Sequence, residues 1–388
     1  MQITAFWRNV RFLQALGQIV FVLLLALAAG FLYANVSTNL ARQGLTVGYD
    51  FLNNPASFDI GESYISYEPS DSYGRAILVG LVNTLVLSAL GIVLTTIVGV
   101  MAGIARLSSN WLISRLAAAY VGVIRNTPLI IQLMFWYFGI ILQLPPVRQA
   151  IALPGPVYLT QRGVYLPGFK ATPAFDSWKI YLWVALVSIV VIWFVFRQIQ
   201  NRSDLPVPLW WYLAYLIVPI LILWVGSMLG PEPPLTENMP ELTGLNFRGG
   251  VRLTPEFAAL LFGLVVYTGA FIAEIVRAGI QAISHGQVEA ARSLGLTTAQ
   301  TLRLIIFPQA LRIMIPPMTS QYLNLAKNSS LAIAIGYPDL FSIANTVINQ
   351  TGAVIEVVVI IMLSYLSMSL FTSLLMNIYN NRVRLVER

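Results

Sequence analysis

The residues with the clearest chemical potential form a polar group inside an apolar run near the C-terminal end. Lys327 has Asn324 three residues before it and Asn328 directly after it, a spacing that places all three on one helix face. A charge inside a membrane span is costly and commonly marks a functional site. An ammonium group beside amides could bind a carboxylate. Alternatively, Lys327 could form a structural ion pair, while the asparagines and the adjacent Ser329 form interhelical hydrogen bonds.

A second intramembrane charge is Glu274, which lies late in the preceding apolar run. Tyr267 and Thr268 lie about two helical turns before it, and Arg277 lies three residues after it. Residues at the spacing of Glu274 and Arg277 meet on a helix surface and could form an ion pair. Two interpretations remain open: a polar path that includes Tyr267, Thr268 and Glu274, or a structural ion pair.

The sequence lacks the residues of most enzyme and metal sites. It contains no cysteine, which excludes thiolate sites, and one histidine, His285, which excludes a histidine cluster and supports no Ser-His-Asp arrangement. None of its three lysines follows the pattern G-x-x-x-x-G-K-[ST], so a nucleotide site of that kind is absent from the sequence. We therefore expect no catalytic residue, no bound metal and no cofactor in this chain.

The composition indicates an all-α integral membrane protein. Hydrophobic residues make up 57% of the chain and charged residues 10%, with a mean hydropathy of +0.74, whereas soluble domains carry about 25% charged residues. Runs of about 20 apolar residues predict transmembrane helices. The sequence contains eight such runs, at 15–36, 76–104, 120–144, 178–197, 209–229, 257–282, 309–337 and 354–380. Pro316 and Pro317 predict a break within the seventh run, before Lys327.

The distribution of charge indicates the orientation of these helices. With a cytoplasmic N-terminus, the cytoplasmic segments hold fourteen positive charges and three acids, and the outer segments hold eight positive charges and twelve acids. This asymmetry follows the positive-inside rule. We therefore expect both termini in the cytoplasm. The net charge of +7 then reflects a membrane rim that contacts lipid headgroups, and no nucleic-acid partner is expected.

Three outer segments are longer than simple turns. Residues 37–75, 145–177 and 230–256 are expected to form ordered loops or short amphipathic pieces on the outer face. Loops longer than about 15 residues are often functional. These segments could be plain connections or a docking surface for an external partner.

One cytoplasmic connection, residues 286–308, is unusually long and polar. Its pattern predicts a short helix from Gln287 to Leu294, which Gly295 ends in a left-handed conformation. A second short helix, capped by Thr297 or Thr298, would then run to Ile306. Small residues on the first helix would permit close docking into a groove of another protein. Alternatively, the segment could be an amphipathic helix that contacts only lipid headgroups.

The spacing within this segment resembles a known family motif. The EAA loop of ABC importer permeases is similar to Glu289-Ala290-Ala291, Gly295 and Ile305-Ile306-Phe307-Pro308, with Phe307 where Leu is usual. The polar amino acid branch of that family, the histidine- and glutamine-type permeases, is similar at 83–85, 125–129, Gln132, 274–287 and 327–331. Asn126 stands where most members of the branch have Gly. The extra spans resemble those of general L-amino acid permeases.

The resemblance implies a type I importer permease core of five transmembrane helices. Its first part would be residues 73–144, and its second part would be residues 257–388 with the coupling loop 286–308. Residues 1–72 would add an N-terminal transmembrane helix and an outer loop. Residues 145–256 would add outer loops and two extra transmembrane helices.

The resemblance also implies the partners. In the family, the EAA loop docks into a separate ABC ATPase dimer, which binds ATP and Mg²⁺ and switches a permease pair between outward and inward access. The corresponding residues here are Gln287, Glu289, Ala290, Ala291, Gly295 and Leu296. A second permease, expected to be a paralogue, and an external solute-binding protein would complete an importer of polar or broad-range amino acids in the bacterial inner membrane.

Two other classes of function remain open. An ion-gradient-driven secondary amino acid transporter would show an inverted repeat or several intramembrane acids, whereas the sequence has at most one such acid, Glu274. A membrane anchor without a transport role would not need Lys327 and its amide neighbours on one helix face.

Overall fold

The structure of the protein is a computed structural model that describes residues 10–42, 48–202, 211 and 213–383. Several charges used above for the orientation lie outside the described residues, namely Arg8, Asp204, Arg384, Glu387 and Arg388. The start of the fifth expected span also lies there.

Helices make up most of the described residues. They are α1 Val10–Arg42, α2 Tyr73–Arg106, α3 Trp111–Asn126, α4 Leu129–Met134, α5 Ala174–Arg202, α6 Ala214–Met228, α7 Pro255–Gln281, α8 His285–Ser293, α9 Thr298–Thr301, α10 Phe307–Asn328, α11 Leu340–Thr351 and α12 Val354–Val383. Short 3-10 helices cover Asp50–Asn53, Ile141–Gln143, Val147–Gln149 and Ser329–Ile335, and π-helical turns cover Phe135–Ile140 and Leu302–Ile306.

The eight expected membrane spans correspond to helical segments of three kinds. Five helical segments of the described chain are long and apolar enough to cross a membrane: Phe12–Leu32, Tyr73–Arg106, Ala174–Ile199, Pro255–Gln281 and Val354–Ile378. Two pairs pass the same test only together, Trp111–Asn126 with Leu129–Gln143 and Thr298–Ile335 with Leu340–Thr351, and the second pair is bent by 54°. The shorter apolar helix α6 completes the set. The helical membrane-protein class is confirmed.

The expectation of one continuous span at 120–144 was wrong, because the helix is interrupted at Thr127. Thr127 has extended backbone angles, φ −103° and ψ 128°. A residue that precedes proline is pushed out of the helical region by the proline ring, and Pro128 follows directly. The described residues of 1–127 and 264–388 form one compact unit, and those of 128–263 form another.

The expected break at Pro316 and Pro317 was also wrong. Helix α10 continues through both prolines and ends at Asn328, where the 3-10 helix takes over up to Gly336 at φ +79°. Both proline rings lie on the exposed side of α10. Membrane helices tolerate proline where neighbouring groups satisfy the freed carbonyl oxygens.

Glycines allow the helices of the first unit to pack closely. A Cβ atom on Gly99 would lie 2.5 Å from Ile272 Cγ2, and one on Gly103 would lie 2.7 Å from Val276 Cβ. Helices α2 and α7 therefore meet nearly backbone to backbone, as small residues permit in membrane proteins. Ile272 and Val276 continue into a buried cluster with Met314 of α10.

The outer segment before α2 packs onto this unit. Its Ala56 and Ile60 are buried with Leu340 of α11. The buried Asn83 side chain donates hydrogen bonds from Nδ2 to the carbonyl oxygens of Glu62 at 2.8 Å and Pro338 at 2.9 Å. This part of the expected loop 37–75 is therefore ordered by buried side chains and hydrogen bonds.

The second unit contains β-structure that the sequence patterns did not predict. Its strands are β1 Ile151–Leu153, β2 Val157–Thr160, β3 Gly163–Leu166, β4 Gly168–Ala171, β5 Leu235–Asn238, β6 Glu241–Thr243, β7 Asn246–Arg248 and β8 Val251–Leu253. One antiparallel sheet has the order β1-β2-β3-β8, and two further antiparallel pairs are β4-β5, whose strands are separated in sequence by α5 and α6, and the hairpin β6-β7. Tyr165 pairs with Arg252 and Phe169 with Glu237. The two inserted outer segments thus form one joined β-structure.

Helices α5 and α6 pack against each other within the second unit. The Trp178 indole nitrogen donates to the carbonyl oxygen of Leu223 at 3.2 Å. A Cβ atom on Gly226 would lie 2.4 Å from Cγ of Tyr181, so only glycine lets the two helices approach this closely. The two extra spans expected from the sequence therefore form a helix pair.

Candidate coupling segment and polar path

The first helix of segment 286–308 ends in a Schellman motif. The backbone N–H of Leu296 donates to the carbonyl oxygen of Ala291 at 3.1 Å, and that of Gly295 donates to the carbonyl oxygen of Arg292 at 2.9 Å. Gly295 has φ +76°, the left-handed region that side chains other than glycine rarely adopt. The predicted helix end at Gly295 is confirmed, although α8 begins already at His285.

Thr297 starts the second helix with a capping box. Its hydroxyl accepts from the backbone N–H of Gln300 at 3.3 Å, while the Gln300 side chain accepts from the backbone N–H of Thr297 at 2.8 Å. The expectation that this helix ends at Ile306 was wrong. It passes through a π-helical turn, Leu302–Ile306, directly into α10, in which Pro308 is the second residue.

Four of the proposed coupling residues present their side chains or backbone to solvent. Gln287, Glu289, Ala290 and Gly295 are exposed, and Leu296 is half-buried. Ala291 is 3% exposed, so it anchors α8 to the rest of the unit and offers no contact surface.

Leu294 belongs to this surface, although the sequence patterns did not single it out. It caps α8 directly before Gly295 and is 81% exposed, the highest value among the large apolar side chains of the described chain. An isolated apolar side chain held out by a rigid turn suits insertion into a pocket of a partner. Its position next to the helix-ending glycine was the available signal.

The polar group on α10 is split by the structure. Asn324 and Lys327 are exposed on one face of the last turns of α10, and Asn328 is half-buried beside them. Ser329 points inward and is fully buried, with its hydroxyl donating to the carbonyl oxygen of Ala326 at 2.9 Å. Within the part of the chain that the structure describes, the Lys327 ammonium has no ion-pair partner.

The residues proposed on α7 have separate surroundings. Thr268 is 2% exposed. The ring of Tyr267 packs 5.0 Å from that of Phe271, centroid to centroid. Glu274 forms ion pairs with Arg106, Arg125 and Arg277. This arrangement corresponds to the second interpretation of Glu274, a structural ion pair. Lys327 is not among the ion-pair partners of Glu274.

The comparison with protein families identifies the chain. The family model described as "Binding-protein-dependent transport system inner membrane component" matches residues 95–385. The chain belongs to this family. The resemblance seen in segment 286–308 is therefore confirmed, and the chain is a multi-pass inner membrane protein.

Relatives match the permease chain over nearly its whole length. A putative amino-acid ABC transporter permease protein, YhdX of Escherichia coli K12, is 46% identical over 96% of this chain and 94% of that protein. The general L-amino acid transport system permease protein AapQ of Rhizobium johnstonii is 43% identical, covering 95% and 92%. The glutamate/glutamine/aspartate/asparagine transport system permease protein BztB of Rhodobacter capsulatus is 38% identical, covering 98% and 96%.

Solved structures show a more distant similarity. A crystal structure of an amino acid ABC transporter with histidines aligns with 80% of this chain and 95% of that chain, at 23% identity and a TM-score of 0.48.

Proposed function

We propose that this chain is the transmembrane permease subunit of an importer that moves polar or broad-range amino acids into the cytoplasm. A separate ABC ATPase dimer, which binds ATP and Mg²⁺, drives alternating access by pulling on segment 286–308. Three relatives that match nearly the whole chain are named as amino acid permeases, which supports amino acids as the substrate class.

The observation that carries the proposal is the construction of α8. A helix closed by a Schellman motif holds Leu294 out of the chain and exposes Glu289 and Ala290 beside it. This surface is rigid and is joined without a gap, through the helix capped by Thr297, to the membrane helix α10. A partner that grips α8 can therefore move α10.

We propose that substrate passes along the exposed face of α10 that carries Asn324, Lys327 and Asn328. Polar side chains facing outward from a membrane helix must meet another protein or water, because lipid cannot satisfy them. A second permease would cover this face and complete the path. The relatives GltJ and GltK of Escherichia coli O6:H1 are two different glutamate/aspartate import permeases, which supports a paralogue as the second subunit.

The arrangement in the membrane follows from the same proposal. Both termini and α8 lie in the cytoplasm, where the ATPase is, and the joined β-structure of the second unit lies on the outer side with the solute-binding protein. The segregation of positive charge in the sequence supports this orientation.

Reconstitution tests the proposed function. The chain is copurified with its ATPase, second permease and binding protein, and uptake of radiolabelled glutamate and glutamine into proteoliposomes is measured with and without ATP. We expect uptake that requires ATP and all subunits. Uptake by this chain alone, driven by a sodium or proton gradient, would show that the proposal is wrong and favour a secondary transporter.

A further inference from the structure

Glu274 is the centre of an ion-pair cluster that joins three helices. Its Oε1 accepts from Arg277 Nε at 3.2 Å and from Arg277 Nη2, and its Oε2 accepts from Arg106 Nη1. Arg125 Nη1 lies 3.9 Å from the same Oε2. Arg106 ends α2, Arg125 lies in the last turn of α3, and Arg277 is on α7 with Glu274. We call these four residues the Glu274 cluster.

The charges of the Glu274 cluster are unbalanced. One carboxylate faces three guanidinium groups, and no other acid of the described residues lies within ion-pair distance of them. The four side chains are 19–39% exposed, so solvent screens their repulsion only in part. Arg106 and Arg125 also benefit from the negative ends of their helices. Among the described residues, the carboxylate is the acidic group that links the ends of α2 and α3 to α7, in addition to the close helix packing at Gly99 and Gly103.

The Glu274 cluster is connected to α8 by the last turn of α7 and a short hydrogen-bonded segment. Arg277 donates to the Gln281 side chain, which extends the cluster to the last residue of α7. The chain between α7 and α8 is three residues long and keeps helical hydrogen bonds, such as that from Ala282 N–H to the Ala278 carbonyl oxygen at 2.9 Å. A displacement of α8 therefore reaches Glu274 through a short, hydrogen-bonded connection.

We propose that Glu274 is a positioning residue that locks α2, α3 and the end of α7 into one body, so that a pull on α8 moves all three helices together. This inference rests on the proposed function and assigns to Glu274 a role in force transmission instead of substrate binding. Loss of the carboxylate would let α7 move without α2 and α3, and ATP would be hydrolysed without a matching transport step.

The test is the ratio of amino acid taken up to ATP hydrolysed, measured in proteoliposomes with the complete complex. For Glu274→Gln we expect this ratio to fall about fivefold or more, the size of a typical coupling free energy between sites, with an unchanged KM for glutamate uptake. Glu274→Asp keeps the charge and should retain part of the ratio. The matched control is Glu256→Gln, the same substitution at the other end of α7, where the acid accepts a hydrogen bond from Tyr137; its ratio should stay at the wild-type value.

Each result decides the inference. An unchanged ratio in Glu274→Gln overturns it, and so does a raised KM with an unchanged ratio, which would place Glu274 on the substrate path. If wild-type uptake does not depend on ATP, the proposed function fails and the ratio is undefined. If wild-type uptake depends on ATP and only the Glu274→Gln result is negative, the locking role alone fails.

A spin-label measurement tests the locking directly, because the sequence has no cysteine to remove. Labels on Ala119→Cys in α3 and Ala278→Cys in α7, both exposed positions, should keep one distance with and without trapped ATP. In Glu274→Gln the distance should change with nucleotide, and a constant distance would contradict the inference. If Glu274→Gln yields no assembled complex, the measurement is made on Arg106→Gln, which removes only the contact from α2. A distance that changes with nucleotide would again support the inference, and a constant distance would contradict it.

Discussion

The backbone N–H of Leu296 donates a hydrogen bond to the carbonyl oxygen of Ala291, 3.1 Å away, across the left-handed turn at Gly295. This bond returns the chain over the end of α8 and leaves Leu294 at the tip of the turn. Because Ala291 is buried, this bond fixes the position of the turn relative to the rest of the folded unit. The contact surface for a partner is thus built from one helix end, which makes it sensitive to single substitutions.

Gly295→Ala should weaken the complex with the ATPase. A Cβ atom at Gly295 would meet no atom within 4 Å, so the substitution strains only the backbone at φ +76°. Forcing a side chain into the left-handed region costs about 1 kcal/mol, which corresponds to about fivefold weaker binding. The measurement is ATPase affinity by titration of detergent-solubilised permease complex.

Gly286→Ala is the matched control for that substitution. Gly286 lies in α8, has ordinary helical angles and also has free space for a Cβ atom. Alanine favours the helix there, so ATPase affinity should be kept or increased. Equal losses in both variants would mean that the turn at Gly295 has no special role.

Leu294→Ala should reduce ATPase binding without reducing the stability of the permease. The side chain is 81% exposed, so the folded chain loses almost no packing when it is shortened. Burial of a leucine side chain in a partner pocket contributes about 1–2 kcal/mol, and we expect a loss of binding of about 5–30-fold. Leu245→Ala, at a residue 65% exposed on the turn between β6 and β7, should change neither binding nor melting temperature. A Leu294→Ala complex that assembles and hydrolyses ATP like wild type would contradict the role of Leu294.

Lys327→Ala should impair amino acid uptake while the complex still assembles. The ammonium group has no ion-pair partner among the described residues, so its removal breaks no structural ion pair within them. A lost charge-assisted contact to a substrate carboxylate costs about 1.5–3 kcal/mol, and uptake should fall about tenfold or more. Lys170→Ala, on the exposed strand β4, provides the control. Wild-type uptake by Lys327→Ala would remove Lys327 from the proposed path.

Gly99→Ala should lower the stability of the membrane core. The new Cβ atom would lie 2.5 Å from Cγ2 and 2.6 Å from Cβ of Ile272, and both helices would have to shift. Overpacking of this kind costs about 1–3 kcal/mol. The expected result is a lower melting temperature of the purified chain in detergent. Gly122→Ala, on α3 with no atom within 4 Å of its Cβ position, should leave the melting temperature unchanged, and a similar effect of both substitutions would argue against close packing at Gly99.

Features that depend on neighbours in sequence were predictable. The apolar runs identified the membrane helices, since burial in lipid requires about 20 apolar residues wherever a helix crosses. The end of α8 at Gly295 and the cap at Thr297 followed from residue types within one helical turn. The spacing of Glu289, Ala290, Ala291 and Gly295 was sufficient to indicate the family that the comparison then confirmed.

Features that depend on contacts between distant residues were decided by the tertiary structure. Arg106 and Glu274 are 168 residues apart in the chain and became partners only because α2 and α7 pack together. The pairing of β3 with β8, across the two helices α5 and α6, was equally invisible in the local pattern. The physical reason is that a turn or a cap is stabilised by groups a few residues away, whereas an ion pair or a strand register depends on where the whole fold brings its members.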